Sequence, residues 1–181
     1  GRISHLNQSA QSLGCTRGMT VAECAEQMLA ASDAPGRVPD YGEARFIFDQ
    51  SPGLPDLIGC DSISLLLPED AGYFAVTASH GALLGGLTDD GAVGMALIGV
   101  TFSDAGVGKD DAGIARLAGL DKRNIPAATV DAMTARIGDA RSNLETGKLS
   151  RLNECAMALG ARPGMATGDF ADLVRKLRSP S

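Results

Sequence analysis

Apolar residues in this chain occur in short runs, separated by turn-forming residues or by segments with helical spacing. Five of these runs have the length and composition of β-strands: 45–48, 62–67, 73–77, 95–102 and 125–130. The run 95–102 is apolar over nearly its whole length, which is typical of a central strand that is buried on both faces.

Segments with helical spacing lie between and after these runs. Thr20 and Glu23 have the spacing of a capping box, so a helix is expected to begin after Thr20. Another helix is expected after the glycine turn at 106–108, with Asp110 or Asp111 at its N-cap. The same spacing predicts two later helices, over 149–159 and from about residue 169.

The alternation of strands and helices predicts an α/β fold. We expect a single three-layer domain in which helices flank a largely parallel sheet of about five strands. A chain of 181 residues is long enough for such a domain and its core. Residues 1–19 are polar and weakly periodic, so they are predicted to form an N-terminal arm, with the domain over 20–181.

Composition and charge narrow the range of partners. The chain is 44% hydrophobic and 21% charged, as a globular domain usually is, and its formal net charge is −6. No stretch is rich in lysine and arginine, so nucleic acid is not an expected partner. Neither a membrane-spanning run of roughly 20 apolar residues nor the apolar core of a signal peptide is found. We therefore expect no membrane partner and a cytoplasmic location.

The cysteines and histidines do not form a recognisable ligand pattern. Cys15, Cys24, Cys60 and Cys155 are scattered without C-x-x-C spacing, so reduced thiols are expected. Two histidines are too few for a Cys/His zinc cluster, and no G-x-G-x-x-G run indicates a dinucleotide. The sequence therefore predicts neither a metal nor another cofactor.

The candidate chemistry lies where two of the predicted strands end. Ser79, His80 and Gly81 follow the run 73–77, and a glycine-containing turn follows the run 95–102. The C-terminal ends of neighbouring parallel strands form the crevice in which α/β sheets bind ligands. These groups are therefore expected to face one pocket.

His80 is the first candidate catalytic residue, since a histidine can act as general acid or base near neutral pH. Ser79 and Ser103 are candidate nucleophiles or hydrogen-bond donors, and Asp104 is the candidate carboxylate that orients the histidine. A pairing of His80 with Ser103 is easier than one with Ser79, because adjacent strand residues point in opposite directions. The alternative is that the histidine and both serines bond to neighbouring loops.

The glycine turn supplies candidate substrate-binding residues. Gly81, Gly106 and Gly108 would let a ligand approach the backbone, and Lys109 would attract an anion. Asp110 stands where a nucleotide-binding loop has serine or threonine, so a small carboxylate fits better than a triphosphate. The alternative is a tight turn with an exposed lysine.

A third group of pocket residues, besides those after the runs 73–77 and 95–102, is expected after the run 125–130. Arg136 is suited to binding a carboxylate through two hydrogen bonds, and Asp139 is a candidate ligand contact or a structural partner of Arg136. Asp61 and Cys60 precede the run 62–67, so they are expected at the opposite edge of the sheet from this pocket.

Together these residues suggest a small cytoplasmic enzyme that acts on a carboxylate-bearing metabolite without a metal. Hydrolysis and proton-transfer chemistry, such as isomerisation or elimination, both fit. The rival hypothesis is a non-catalytic module, either a metabolite-binding protein or an accessory subunit of a larger enzyme. A homo-oligomer that completes the site with a second chain is also open.

Overall fold

The computed structural model describes residues 1–32, 36, 42–83 and 93–179. The chain divides into two compact units, Gly1–Tyr41 and Gly42–Ser181. The segment predicted as an arm contributes a short helix to the first unit, and the predicted sheet lies in the second.

The first unit contains two helices, α1 (Gln8–Ser12) and α2 (Val21–Leu29). The predicted capping box is confirmed: Thr20 Oγ1 accepts from the Glu23 N–H at 3.2 Å, and the Glu23 carboxylate accepts from the Thr20 N–H at 2.8 Å. A small apolar cluster holds the unit together, consisting of Ile3, Leu6, Ala10, Cys15, Met19 and Cys24.

The second unit is built on one six-stranded sheet, which confirms the α/β class. Its strands are β1 (Arg45–Asp49), β2 (Leu57–Cys60), β3 (Phe74–His80), β4 (Gly99–Ser103), β5 (Ala127–Val130) and β6 (Leu149–Leu152). They lie side by side in chain order; β2 to β5 are parallel, and the edge strands β1 and β6 are antiparallel to their neighbours. The sheet therefore has six strands instead of the predicted five.

Four α-helices and three 3₁₀ turns accompany the sheet in the described residues. The helices are α3 (Arg116–Lys122), α4 (Ala140–Glu145), α5 (Glu154–Ala158) and α6 (Thr167–Leu177). The 3₁₀ turns are Ile63–Leu65, Pro68–Asp70 and Lys109–Ile114. The helix predicted from residue 169 is confirmed as α6, which begins two residues earlier.

The strand predicted over 62–67 is wrong. The strand in this region is β2, which ends at Cys60, and Ile63–Leu65 forms a 3₁₀ turn. Leu66 is buried against one face of the sheet, and Ile63 and Leu65 pack on the same cluster. These residues are apolar because they cover one face of the sheet. A turn that covers a sheet can contain as many apolar residues in a row as a strand, so the two were confused.

The helix predicted over 149–159 is also wrong, because the segment contains strand β6 followed by helix α5. Asn153 separates the two elements. Its Oδ1 accepts from the N–H groups of Ala156 and Ala127, and its Nδ2 donates to the carbonyl of Ile125. The buried amide thus caps α5 and fastens it to the start of β5.

Alternate strand residues point to opposite faces of the sheet, and each face carries its own apolar cluster. One cluster contains Val100 and Phe102 of β4, together with Leu117 and Leu120 of α3. The described parts of the connections between β2 and β5 lie on this face, since Leu66, Leu97 and Leu117 belong to the same cluster. Right-handed crossovers that all advance in one direction require this placement. The other cluster contains Phe74, Val76, Ala128 and Val130 of the strands with Phe170 and Val174 of α6.

Arg175 joins helix α6 to the first two strands. Its guanidinium is buried and donates to the carbonyl of Pro55 at 2.7 Å and to the carboxylate of Asp49 at 2.6 Å. The Ser51 hydroxyl and the Arg175 guanidinium hold the pKa of Asp49 below its ordinary value. A third group, the Asp172 carboxylate, lies 3.6 Å from the guanidinium, so one carbonyl and two carboxylates surround the buried cation. Across the described residues, none of the helices has both the length and the apolar character needed to cross a bilayer.

Candidate functional site

The parallel strands β2 to β5 all end at one side of the sheet, which we call the carboxyl edge. His80 is the last residue of β3, and Ser103 is the last residue of β4 and its register partner. The residues that directly follow these four strands are Asp61, Gly81, Asp104 and Asp131. The carboxyl edge therefore contains the residues that would have to carry the predicted chemistry.

The segment 131–140, which we call the strap, runs along the carboxyl edge after β5. Its Ala132 N–H donates to Asp104 Oδ1 at 3.1 Å, beside β4. Gly138 N–H donates to the carbonyl of Ala78 in β3 at 2.9 Å. The strap is thus fastened to one strand end after another before it enters α4.

Asp61 is the anchor of the strap at β2. It was expected at the opposite edge, and this expectation is wrong, because β2 precedes Asp61 instead of following it. One carboxylate oxygen accepts from the Ala44 N–H and the other from the Ala140 N–H, both at 2.9 Å. Both oxygens therefore serve the fold, and the first turn of α4 is tied to the end of β2.

Cys60 also lies at the carboxyl edge, as the last residue of β2, and not at the edge expected from the sequence. Its side chain is fully buried, and this burial raises its pKa to about 11. The thiol is protonated at neutral pH and has the character of a small apolar core group.

Cys60 is expected to make the unfolding free energy depend on pH in the alkaline range. Above pH 9.0, the ordinary value for the thiol, the unfolded chain loses this proton while the folded chain keeps it up to about pH 11. Stability should therefore fall by about 2 kcal/mol as the pH rises through this window. Denaturant unfolding of wild type and Cys60→Ala at several pH values measures the difference. Equal slopes in the two proteins would contradict the assignment.

Ser79 and Ser103 each accept a hydrogen bond from a backbone N–H. The Ser79 hydroxyl accepts from Ile63 N–H at 2.8 Å and so fixes the 3₁₀ turn after β2. The Ser103 hydroxyl is buried and accepts from Ala105 N–H at 3.2 Å. Within the described residues, neither hydroxyl is hydrogen-bonded to His80. The local structure gives both serines a role in shaping turns.

Asp104 is 4% exposed and anchors two loops. Its Oδ1 accepts from Gly106 N–H at 2.8 Å and from Ala132 N–H at 3.1 Å, and its backbone carbonyl accepts from Val107 N–H. No bond to His80 occurs in the part of the chain that the structure describes. The carboxylate therefore fixes the turn after β4 and the start of the strap.

His80 is half-buried at the end of β3, and its ring is oriented by the backbone. Ala82 N–H lies 3.2 Å from Nδ1. Since a backbone N–H can only donate, Nδ1 accepts, and the neutral ring carries its proton on Nε2. In this position, neutral His80 offers an N–H donor to a ligand, and it is not a proton acceptor at Nε2.

Gly81 is required for close packing. A Cβ at this position would lie 2.6 Å from the Gly113 carbonyl oxygen and 2.9 Å from Thr129 Cγ2. The Gly81 carbonyl also accepts from Arg116 N–H at 2.9 Å. The backbone that Gly81 lets approach is therefore that of the 3₁₀ turn before α3.

The loop 105–111 has an unusual backbone. Six of its residues have positive φ: Ala105 at 50°, Gly106 at 71°, Val107 at 64°, Gly108 at 74°, and Asp110 and Asp111 at 56° each. Positive φ costs little for glycine, whereas a β-branched residue such as Val107 adopts it very rarely. Such strain persists only where surrounding contacts hold it, and it is concentrated at functional sites.

The prediction that Asp110 or Asp111 caps a helix is wrong. Both residues have left-handed backbone angles inside a 3₁₀ segment, and α3 begins only at Arg116. Two left-handed residues, Asp110 and Asp111, therefore lie between the glycines and the helix. The glycines at 106 and 108 indicated a turn, but nothing in the sequence indicated left-handed aspartates.

The predicted cations are exposed, and each lies near a neighbouring carboxylate. Lys109 Nζ is 3.5 Å from Asp110, and an Arg136 nitrogen is 3.8 Å from Asp139. Asp139 also caps α4 by accepting from Ser142 N–H at 2.9 Å. The pairing of Arg136 with Asp139 is the structural alternative considered from the sequence, and with Arg136 84% exposed it is a weak contact.

A depression of about 490 Å³ lies between the turn after β4 and the strap. We call it the edge depression, and it is lined by Ala105, Ala132, Ala135, Arg136 and Ile137. Its walls are mainly small and apolar, and Arg136 supplies a positive charge. His80 and Lys109 are not part of this lining.

Metal-ligand groups and similarity to known proteins are the two remaining features of the site. Among the described residues, no group of three or more histidine, cysteine, aspartate or glutamate side chains is arranged to hold a metal ion. No protein-family model matches the chain, no curated protein matches it, and no solved structure matches it.

Proposed function

We propose that this chain binds a small carboxylate-bearing metabolite in the edge depression, with Arg136 as the group that binds the carboxylate. The observation that supports it is the lining, in which small apolar side chains surround one exposed guanidinium. Compact sites of this kind bind a ligand by apolar contact and orient it through few polar groups. A guanidinium matches the planar geometry of a carboxylate.

We further propose that the bound metabolite loses a carbon-bound proton to a water molecule, while the His80 Nε2–H donates a hydrogen bond to the oxygen on which negative charge develops. The Ala82 N–H fixes the ring so that the neutral form presents Nε2–H. The same kind of donor stabilises the negative charge that develops in isomerisation and elimination. Hydrolysis through a serine nucleophile has less support, since both serine hydroxyls accept from backbone N–H groups.

Two substitutions of His80 separate the role of the acceptor at Nδ1 from that of the donor at Nε2. In His80→Asn, the amide oxygen can replace Nδ1 as acceptor for Ala82 N–H, but the donor at Nε2 is lost. In His80→Gln, the amide nitrogen can reach the Nε2 position. We expect His80→Asn to lower the rate of proton transfer by about a hundredfold and His80→Gln to retain more of it, since a positioned hydrogen-bond donor to a developing oxyanion contributes about that factor.

The measurement is exchange of carbon-bound protons with deuterated water, followed by NMR on acetate, lactate, malate and succinate. Binding of the same compounds is followed through the backbone amide signals of the edge depression. Arg136→Gln should weaken binding about tenfold without moving the amide signals of β3. Exchange that is equally fast with and without the protein, for every compound, would remove the catalytic proposal.

A non-catalytic binding module is the second candidate. It is favoured by the engagement of Ser79, Ser103 and Asp104 with backbone N–H groups, which leaves His80 without a side-chain partner in the described residues. This candidate predicts carboxylate binding that depends on Arg136 and no proton exchange in any variant. An accessory subunit of a larger enzyme would give the same result.

A cytoplasmic location and a homo-oligomeric state belong to the same proposal. Both are supported by the sequence alone: scattered cysteines without C-x-x-C spacing suit the reducing cytoplasm, and the alanines Ala112, Ala115 and Ala118 suit contact with a second chain. Light scattering on the purified protein measures the oligomeric state, and a monomer at all concentrations would remove the second part.

A further inference from the structure

Two buried thiols are in contact in the unit Gly1–Tyr41. Cys15 follows α1, and Cys24 lies in the first half of α2. Their sulfur atoms are 3.3 Å apart, and the residues are only 3% and 5% exposed. Both side chains belong to the apolar cluster that holds this unit together.

The other two cysteines have different surroundings. Cys60 is enclosed by the core of the sheet, and Cys155 contacts the backbone carbonyl of Asp121 at 3.9 Å. Cys15 and Cys24 are thus the pair of sulfurs that the described structure brings together. A disulfide bond has an S–S distance of about 2.05 Å, so a small approach of the two side chains would close it.

The unit itself has reason to need such a bond. Units of about 40 residues bury too little apolar surface to be strongly stable, and a covalent link commonly compensates. Among the described residues of this unit, its apolar cluster has six members, and two of them are the cysteines. A link between Cys15 and Cys24 would join the segment after α1 to α2 across this cluster.

A small oxidant can reach Cys15 from one side. A depression of about 540 Å³ in this unit is lined by Ser4, His5, Leu6, Gln11, Cys15, Thr16 and Arg17. Arg17 supplies a positive charge in the same depression, and His5 supplies ring nitrogens. These groups suit an oxidant that carries carboxylates, as disulfides of the glutathione class do.

We propose that Cys15 and Cys24 form a reversible intramolecular disulfide by exchange with a low-molecular-weight disulfide of the glutathione class. The Cys15 sulfur attacks one sulfur of oxidised glutathione, the S–S bond of that molecule breaks, and one glutathione thiol leaves. The Cys24 sulfur then attacks Cys15, forms the protein disulfide and releases the second glutathione thiol. The two protein thiols lose two electrons and two protons, which the two glutathione thiols gain.

Without an oxidant the pair stays reduced. The hydrogen bond with Cys24 and burial raise the pKa of Cys15, so this thiol is protonated at neutral pH. This agrees with the reduced thiols expected from the sequence, and the proposal adds the oxidised state.

The test is peptide mapping of the full chain after incubation with oxidised glutathione. Free thiols are alkylated with iodoacetamide in urea, and the protein is digested with trypsin and analysed by mass spectrometry without reduction. We expect peptide 3–17 joined to peptide 18–37, with the loss of two hydrogens, and alkylated Cys60 and Cys155. Dithiothreitol should restore the separate peptides. Alkylated Cys15 and Cys24 after oxidation, or stable glutathione adducts on both, would overturn the proposal.

Three serine variants test the order of attack. Cys24→Ser should accumulate a glutathione adduct on Cys15, because the second thiol is missing. Cys60→Ser is the matched control and should form the Cys15–Cys24 link as wild type does. An adduct on Cys24 in Cys15→Ser, without one on Cys15 in Cys24→Ser, would overturn the entry of the oxidant through Cys15.

Discussion

Replacement of Gly113 by alanine is expected to destabilise the Gly42–Ser181 unit by about 3 kcal/mol. The new Cβ would lie 2.2 Å from the carbonyl oxygen of Asp104 and 2.7 Å from that of Val107. Both oxygens belong to the backbone, so neither can move without a shift of the loop 105–111. The Gly113 N–H also donates to Val107 at 2.6 Å, so the shift would strain this bond.

The matched control is Gly106→Ala. Gly106 has a φ of +71°, and a Cβ there would meet no atom within 4 Å. Its cost should be about 1 kcal/mol, from backbone conformation alone. Urea unfolding of the two variants measures the free energies. If Gly113→Ala were no more destabilising than Gly106→Ala, the packing of the loop against Gly113 would be looser than described.

Replacement of Asp104 by alanine is expected to destabilise the same unit by about 3 kcal/mol. It would leave the N–H groups of Gly106 and Ala132 without their acceptor, and hydrogen bonds to a charged group are among the stronger ones. Asp104→Asn keeps an oxygen in place and should cost about 1 kcal/mol.

Urea unfolding gives the stability of the Asp104 variants, and hydrogen exchange at the Ala132 amide reports on the strap. Exchange there should accelerate in Asp104→Ala and change little in Asp104→Asn. An Asp104→Asn protein with wild-type stability but no proton transfer would instead restore the orienting role predicted from the sequence. The pair of variants thus separates a structural carboxylate from one that acts through His80.

The fold could be predicted wherever a local sequence pattern belongs to a single helix or strand. The capping box of Thr20 and Glu23, which begins α2, and the long strand β3 are two examples. Strand β2 could not be found in this way, because it has four residues, one of which is Gly59. A Cβ at Gly59 would lie 2.2 Å from the ring of Phe48, so the glycine is required by a residue of the neighbouring strand.

The sequence placed His80 and Ser103 at the ends of neighbouring strands, where the structure has them, because strand ends can be located from apolar runs. Their hydrogen-bond partners were not predicted. The partners of Ser79 and Asp104 could not be predicted, because Ile63 and Ala132 reach them from segments 16 and 28 residues away. Lys109 was treated as a pocket group but does not line the edge depression, because charge alone does not show where a side chain lies.

The order of the strands has a consequence for how the chain assembles during its synthesis. Each of the strands β2 to β5 pairs with the one made just before it, so the sheet can grow as the chain emerges. The face that carries Phe74 and Val130 must wait for α6, the last helix described. Arg175 then reaches back 126 residues to Asp49. A nascent chain would therefore expose one apolar sheet face until α6 docks, and a chaperone that shields such surfaces would act in that interval.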